Sequence, residues 1–208
     1  MFRGTQSSKP MAEEDKNTPP KPRSWTRELL DFALIVLLVV LPIRYFVAEP
    51  YIVTGVSMAD TYATGHYLII NKFEYKLGSI DRGDVLVFRS PVEEDKFYIK
   101  RVIGLPGETI SIHDGHVYAQ SEDHEEILLE EPYASSRTLG TTLMELDDDE
   151  YFMMGDNRID SFDSRSWGPL NIDNIRGEPV LRLFPLNKID LMPGRYRQGD
   201  AVPDQSNT

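Results

Sequence analysis

The chain has 208 residues, of which 40% are hydrophobic, a formal net charge of −12 and no cysteine. Its length and apolar content suit one ordinary domain with tails, and the lack of cysteine excludes disulfides, thiolate metal sites and a cysteine nucleophile. The negative charge argues against nucleic acid as a partner, because nucleic-acid-binding proteins normally present a basic face.

The N-terminal region predicts a tail followed by a membrane anchor. Residues 1–28 are mostly polar and are expected to form a disordered cytoplasmic tail. Residues 29–47 are apolar apart from Asp31 and Arg44, which lie near the ends of the segment, and a helix that spans a membrane needs about 20 mostly apolar residues. The segment has neither the small residues of a signal-peptide cleavage site nor the period of a core helix. We therefore predict one uncleaved transmembrane helix in contact with lipid.

Basic residues predict the orientation of this anchor. They precede it closely and are Lys16, Lys21, Arg23 and Arg27. Lys and Arg are enriched on the cytoplasmic side of transmembrane helices. We expect a single-pass protein of the cytoplasmic (inner) membrane, with a cytoplasmic N-terminus and an extracytoplasmic domain after residue 48.

Residues 48–191 predict a mainly β, antiparallel domain with hairpins. Short runs rich in β-branched and aromatic residues, such as DVLVFRS and FYIKRVIGL, alternate with turns that contain Gly and Pro. The run ISIHDGHVYA is predicted to turn at Asp114 and Gly115. Residues 119–150 are acidic and weakly patterned, and we interpret them as a surface insertion whose charges face solvent. Residues 192–208 are predicted to form a flexible C-terminal tail.

Ser57, in the stretch VTGVSMADTY, is a candidate nucleophile that requires a base. The four histidines lie in turns or in the acidic insertion, where solvated polar roles are more common: His66, His113, His116 and His124. Their spacing matches no familiar pattern of metal ligands, so the sequence predicts no metal site.

Lysine is the alternative base, provided that burial among apolar groups disfavours its charged form. Lys100 lies within the apolar run FYIKRVIGL, and strand alternation places it on one face with Tyr98 and Val102. Lys72 ends its strand beside charged sequence, so its ammonium is expected to reach water. Periodicity alone does not decide whether Lys100 is a general base or a solvent-exposed surface lysine.

A third segment, GDNRIDSFDSRSWG at residues 155–168, is a polar loop bounded by glycines. It follows GVSMADT, RGDVLVF and YIKRVIGLPGE, in that order, after the apolar segment. With these blocks the chain resembles the bacterial type I signal peptidases, which are membrane-anchored serine endopeptidases that remove signal peptides from exported proteins. The resemblance runs from the anchor to about residue 185.

The resemblance implies a Ser-Lys dyad. Ser57 matches the nucleophile, Lys100 the general base and Ser161 a serine that hydrogen-bonds and orients the lysine. Three charged residues match a group that braces the site: Arg101, Asp163 and Arg165. Three loop residues are expected to have a structural role: Asp156, Asn157 and Arg158. Because Gly55 stands where some members carry a serine, the oxyanion is expected to bind the backbone N–H of Ser57.

The resemblance also implies the partners. Preproteins with signal peptides are the expected substrates, cut after small-x-small sequences, and no cofactor or metal is implied. The expected pocket walls are Val53, Met58 and Tyr98, and the extended substrate is expected to add as a strand beside the segment before Ser57. Asp60 departs from the family, which usually has proline there, and is expected to add a carboxylate near Lys100.

Two other functions fit parts of the pattern. A self-cleaving repressor of the SOS type also uses a Ser-Lys pair, but it needs a DNA-binding domain where this chain has a tail and an apolar segment. A catalytically weak or silent membrane-anchored protein that binds exported chains is the second alternative, and Asp60 is the feature that favours it.

Overall fold

The structure, a computed structural model, describes residues 25–41, 48–59, 61–72, 78–121 and 124–197. The chain divides into two compact units, Met1–Val40 and Leu41–Thr208. Most of the predicted N-terminal tail, the last six residues of the predicted anchor, Asp60 and the end of the predicted C-terminal tail lie outside the described residues.

The first unit contains the helix α1, Trp25–Ile35, which continues as a π-helical turn at Val36–Val40. Leucine and alanine favour helix, and Glu28 lies in the first turn, where a negative charge suits the helix dipole. None of the side chains of these two elements is buried. Of the helices within the described ranges, none combines the length and the apolar character that a membrane span requires.

The second unit is built from short antiparallel strands, which confirms the prediction of a mainly β fold. The strands are β1 Ala48–Ile52, β2 Tyr67–Asn71, β3 Val85–Arg89, β4 Phe97–Gly104, β5 Glu108–His113, β6 His116–Ser121, β7 Ile127–Leu128, β8 Thr142–Glu145, β9 Glu150–Met154, β10 Leu170–Asn171, β11 Ile175–Phe184 and β12 Asp190–Leu191. A four-residue helix, α2 Ser164–Trp167, precedes β10.

The strands form two sheets. The larger has the order β1-β2-β11-β3-β4-β9-β10, with β12 paired to β11, and the smaller has the order β7-β6-β5-β8. Strand β3 lies inside the larger sheet, and its run of Val, Leu, Val and Phe is buried, as expected for a strand covered on both faces. Strand β4 lies between β3 and β9 and is therefore held on both sides.

The predicted hairpin turns where the sequence indicated. Strands β5 and β6 pair with His113 opposite His116, so that Asp114 and Gly115 form a two-residue loop. Both loop residues have positive φ, 53° and 83°, which a tight hairpin turn requires and which Asp-Gly accepts readily.

The acidic region does more than face solvent. Strands β7 and β8 extend the smaller sheet from within it, and Leu129 and Leu146 are buried in the core beneath that sheet. Scattered apolar residues between acidic ones supply these buried positions, so the interpretation of residues 119–150 as a solvent-facing insertion has to be revised. The described start of the predicted C-terminal tail, residues 192–197, also packs on the domain, since Tyr196 is buried.

Candidate active site

Ser57 lies in a tight turn that follows β1. The N–H of Ala59 donates to the carbonyl of Val56 at 3.0 Å and closes the turn. Gly55 enters it with a φ of 102°, a left-handed conformation that favours glycine. The hydroxyl of Thr64 donates to the Gly55 carbonyl at 2.8 Å. The backbone around Ser57 is thus fixed on both sides while its side chain is half-buried.

Lys100 reaches Ser57 from the middle of β4. It pairs with Leu86 of β3, its side chain is 4% exposed, and its Nζ donates a hydrogen bond to Ser57 Oγ. The Nζ lies 5.7 Å from the ring centroid of Tyr98, as expected if residues 98 and 100 share a strand face. The structure therefore brings together the two residues that the sequence selected as nucleophile and base.

Burial sets the protonation of this lysine. Desolvation lowers the pKa of Lys100 to about 8, and the nearby carboxylates of Asp163 and Asp156 oppose this decrease without cancelling it. A charged amine is disfavoured in a low-dielectric site. A substantial fraction of the amine is consequently neutral near pH 8.

The rival bases lie elsewhere. Lys72 forms an ion pair with Glu49 at 3.2 Å and is partly exposed. His66, which the sequence indicated as a turn residue, is buried, and its Nδ1 accepts a hydrogen bond from the N–H of Ala63 at 3.3 Å. Burial lowers the pKa of His66, and the positive charges of Arg182 and Lys188 add to this decrease. Neither side chain hydrogen-bonds Ser57.

The loop at residues 155–168 packs directly against the serine. A Cβ at Gly155 would collide with the carbonyl oxygen of Ser57 and with the side chain of Ser161, so this position needs glycine. The N–H of Asn157 donates to the Ser57 carbonyl at 3.0 Å. The loop thus fixes the main chain of Ser57.

Two arginine–carboxylate pairs support the loop, where the sequence suggested one charged group. Arg101 is 1% exposed and holds both oxygens of Asp156, at 2.8 and 2.7 Å. Arg165 holds both oxygens of Asp163, each at 2.8 Å. Such two-point contacts fix the orientation of both side chains in addition to pairing their charges.

Asp163 connects its pair to the rest of the site. Its carboxylate accepts the N–H of Gly155 at 3.1 Å and that of Arg165 at the start of α2. Burial raises its pKa, but the hydrogen bonds from Arg165, together with the other donors, hold the pKa of Asp163 below its ordinary value. The carboxylate is therefore charged at the pH at which Lys100 titrates.

Ser161 does not hold Lys100 in the way that the resemblance implies. Its Oγ is buried and, within the part of the chain that the structure describes, forms no hydrogen bond of normal geometry. It lies near Asp163 and helps to lower the pKa of that carboxylate. The orienting hydrogen bond to the lysine is absent from this structure.

Comparisons with known proteins identify the family of the chain. The chain matches the family described as signal peptidase, peptidase S26, over residues 26–184. The chain belongs to this family. It is similar to the probable signal peptidase I-1 of Synechocystis sp., with 34% identity over 182 residues that cover 83% of this chain and 90% of that protein. It is also similar to signal peptidase I T of Bacillus subtilis, with 33% identity over 187 residues that cover 85% of this chain and 96% of that protein.

A crystal structure of a signal peptidase I from Enterococcus faecalis matches 48% of this chain and 96% of its own, with 26% identity and a TM-score of 0.42. The family assignment rests on the sequence matches and confirms the predicted resemblance. As a member of the S26 peptidases, the chain is a hydrolase of the serine endopeptidase class.

The acidic region supplies contacts to this candidate site that the sequence did not indicate. Glu131 accepts two hydrogen bonds from Arg158, each at 2.7 Å, and Thr138 accepts another from it at 2.6 Å. The guanidinium of Arg101 lies 4.0 Å from the ring centroid of Tyr133. In a sequence rich in acidic residues, nothing local distinguishes Glu131 from its solvated neighbours.

A cavity of about 80 Å³ opens beside Ser57 and Lys100. It is lined by Tyr51, Ile52, Val53, Thr54, Ser57, Leu68, Val87, Phe97, Tyr98, Ile99 and Lys100. Two of the expected wall residues, Val53 and Tyr98, are in this lining. Met58 is not, because it is 1% exposed beneath the turn, where its Sδ accepts from the N–H of Asp156 at 3.4 Å.

Proposed function

We propose that this chain removes signal peptides from exported preproteins by means of a Ser57–Lys100 dyad. The observation that carries the proposal is the hydrogen bond from the buried Lys100 amine, with its pKa of about 8, to Ser57 Oγ. A serine needs an adjacent base to act as a nucleophile, and a base works best when its pKa lies near the operating pH.

The proposed reaction has two halves. Neutral Lys100 takes the proton of Ser57 as Oγ attacks the scissile carbonyl, and the tetrahedral intermediate collapses to an acyl-enzyme when the lysine returns that proton to the leaving amine. In the second half, Lys100 takes a proton from water, the hydroxide attacks the ester, and the proton returns to Ser57. The oxyanion of each intermediate accepts a hydrogen bond from the Ser57 N–H.

Two features support an extended substrate with small side chains at the cleaved bond. Strand β1 is at the edge of the larger sheet as described, so a substrate strand can pair with it next to the turn that carries Ser57. The cavity of about 80 Å³, walled by Val53, Leu68 and Val87 among others, suits small apolar groups.

We also propose that residues 29–47 anchor the peptidase in the cytoplasmic membrane, with the β domain outside. The apolar side chains of this segment are exposed in the first unit, as in Leu37 at 59% and Leu38 at 63%. A large exposed apolar surface of this kind marks a site of membrane or protein contact. Because signal peptides also reside in the bilayer, anchoring raises the effective concentration of the substrate.

Cleavage of a purified preprotein by the full chain in detergent tests the proposal. We expect the wild type to release the mature protein and Ser57→Ala and Lys100→Ala each to slow release by about 10³-fold or more, since dyad members act as a unit. Lys72→Ala is the matched control and should stay within about twofold of the wild type, because its amine is paired with Glu49.

Three outcomes contradict the proposal. One is a wild-type rate in Ser57→Ala, and another is a loss in Lys72→Ala as large as that in Lys100→Ala. Binding of the preprotein without any cleavage by the wild type would instead support the silent binding protein.

A further inference from the structure

Asn157 contacts the carbonyls on both sides of the nucleophile. Its side-chain Nδ2 donates to the carbonyl of Val56 at 3.2 Å, and its backbone N–H donates to the carbonyl of Ser57 at 3.0 Å. One residue of the 155–168 loop therefore holds the two peptide groups that flank Ser57. The expected role of Asn157 was only structural, and neither contact is part of the proton transfers of the dyad.

The first of these contacts helps to fix the direction of an N–H. The carbonyl of Val56 and the N–H of Ser57 belong to the same peptide group, which is planar and trans. They point in opposite directions, so the donors that hold the carbonyl, the Asn157 amide and the Ala59 N–H that closes the turn, together set where the N–H points. The structure pairs this N–H with no acceptor among the described residues. It is therefore free to donate to a bound group.

Asn157 is itself held in a rigid setting. Its Oδ1 accepts the N–H of Asp160 at 3.4 Å. The residue before it, Asp156, is clamped by Arg101, and the residue after it, Arg158, is clamped by Glu131. The first clamp is buried and the second is partly buried, and hydrogen-bonded charge pairs shielded from water order their surroundings. The amide is thus presented to Val56 by a loop that has little freedom to move.

We propose that Asn157 is a positioning residue that aims the Ser57 N–H at the oxyanion of the tetrahedral intermediate. The inference rests on the proposed function, in which that N–H is the oxyanion donor. Negative charge develops on the substrate oxygen only in the transition state, so a misdirected donor weakens transition-state binding more than substrate binding. Loss of the amide should therefore lower kcat and leave KM nearly unchanged.

The test compares Asn157→Ala with Asn174→Ala in the full chain, on a peptide substrate of Ala-x-Ala type. Asn174 lies in the short helical turn before β11 and is the matched control. We expect Asn157→Ala to lower kcat on the order of tenfold, with KM within about twofold, while the backbone bond to the Ser57 carbonyl remains. Asn157→Gln retains the amide on a side chain one methylene longer and should keep more of kcat than Asn157→Ala.

A peptide aldehyde and the corresponding peptide alcohol give a second measurement. Ser57 Oγ adds to the aldehyde carbon, which places an oxygen at the oxyanion position, whereas the alcohol forms no tetrahedral adduct. Asn157→Ala should weaken binding of the aldehyde by about the same factor by which it lowers kcat. It should leave binding of the alcohol unchanged. The acidic limb of the kcat/KM profile should also keep its midpoint pH, because the substitution leaves the neighbours that set the pKa of Lys100 unchanged.

Equal losses in Asn157→Ala and Asn174→Ala, a loss confined to KM, or equal weakening of aldehyde and alcohol would overturn the inference. Full cleavage by Ser57→Ala would instead overturn the proposed function, so the two failures can be told apart. If Asn157→Ala does not fold, as judged by thermal unfolding, the comparison of Asn157→Gln with the wild type on the two inhibitors decides.

Discussion

At the residue scale, the protonation of Lys100 depends on how its neighbouring carboxylates are paired. Asp163 and Asp156 both raise its pKa, yet each carboxylate is held by two hydrogen bonds from an arginine, Arg165 and Arg101 respectively. Burial therefore remains the dominant effect, and the pKa falls to about 8. The pairing allows carboxylates that order the loop to lie close to a lysine whose charged form is disfavoured by burial.

This depressed pKa makes folding stability depend on pH. The pKa of Lys100 is 10.5 in the unfolded reference and about 8 in the folded state, so between these values the unfolded chain binds more protons and stability rises with pH. Below pH 8 the buried charge costs about 3 kcal/mol. Lys100→Met removes this cost, so near pH 7 the variant gains unfolding free energy relative to the wild type. We expect this gain to shrink by about 3 kcal/mol between pH 7 and pH 10.5, as the lysine of the wild type loses its charge. Urea unfolding at several pH values measures it, and a constant difference between the two proteins would contradict the burial argument.

At the element scale, the acidic region supports the loop at residues 155–168. Glu131 and Thr138 bind the guanidinium of Arg158, whose Nε donates to the Gly155 carbonyl at 3.0 Å. Gly155 in turn packs against the Ser57 carbonyl. A chain of contacts therefore runs from residues 131–138 to Ser57, and the acidic region helps to place the turn that carries it.

Glu131→Gln tests this support, with the exposed neighbour Glu130→Gln as the matched control. Removal of one partner leaves the buried charge of Arg158 uncompensated, which we expect to cost about 2 kcal/mol or more in unfolding free energy. Peptide cleavage by Glu131→Gln should fall as the loop loosens, whereas Glu130→Gln should change neither quantity. Equal effects of the two substitutions, in urea unfolding and in cleavage assays, would show that the ion pair does not support the loop.

The sequence predicted those elements whose signals are local. Alternating runs identified the strands, Asp-Gly identified a hairpin, and the apolar surroundings of Lys100 singled it out from Lys72. The ion pair between Glu131 and Arg158 could not be predicted, since it joins residues 27 positions apart and one acidic side chain looks like another in sequence. The division of the charged group into two pairs depends likewise on tertiary packing. So does the position of Ser161, which lies near Asp163 and does not hydrogen-bond Lys100.

At the scale of the whole molecule, the apolar N-terminal segment and the acidic β domain have different surfaces. Leu34 and Leu38 on the helical segment are 54% and 63% exposed, while the chain as a whole carries a net charge of −12. Exposed apolar helical surface favours insertion into lipid, at about 25 cal/mol for each Å² removed from water. We therefore expect the segment at residues 29–47 to determine membrane attachment.

Flotation of the full chain with lipid vesicles measures this attachment. The wild type should float with the vesicles, and Leu34→Lys combined with Leu38→Lys should release most of it, because a charge in the bilayer centre costs about 2.5 kcal/mol or more. The matched control places the same two lysines at exposed apolar positions of the β domain, Ile127 and Leu143, and should float like the wild type. Cleavage of a short soluble peptide should survive in the Leu34 and Leu38 variant, and unchanged flotation of that variant would contradict the anchor.

The most direct test of the central claim, that neutral Lys100 activates Ser57, is the pH dependence of kcat/KM on a peptide substrate. Only the neutral amine can accept the serine proton, so the rate should rise about tenfold per pH unit in acid and level off with a midpoint near pH 8, as the pKa of Lys100 requires. A profile that is flat from pH 6 to 9, or one with a midpoint at about 6.5, the ordinary value for histidine, would contradict the account.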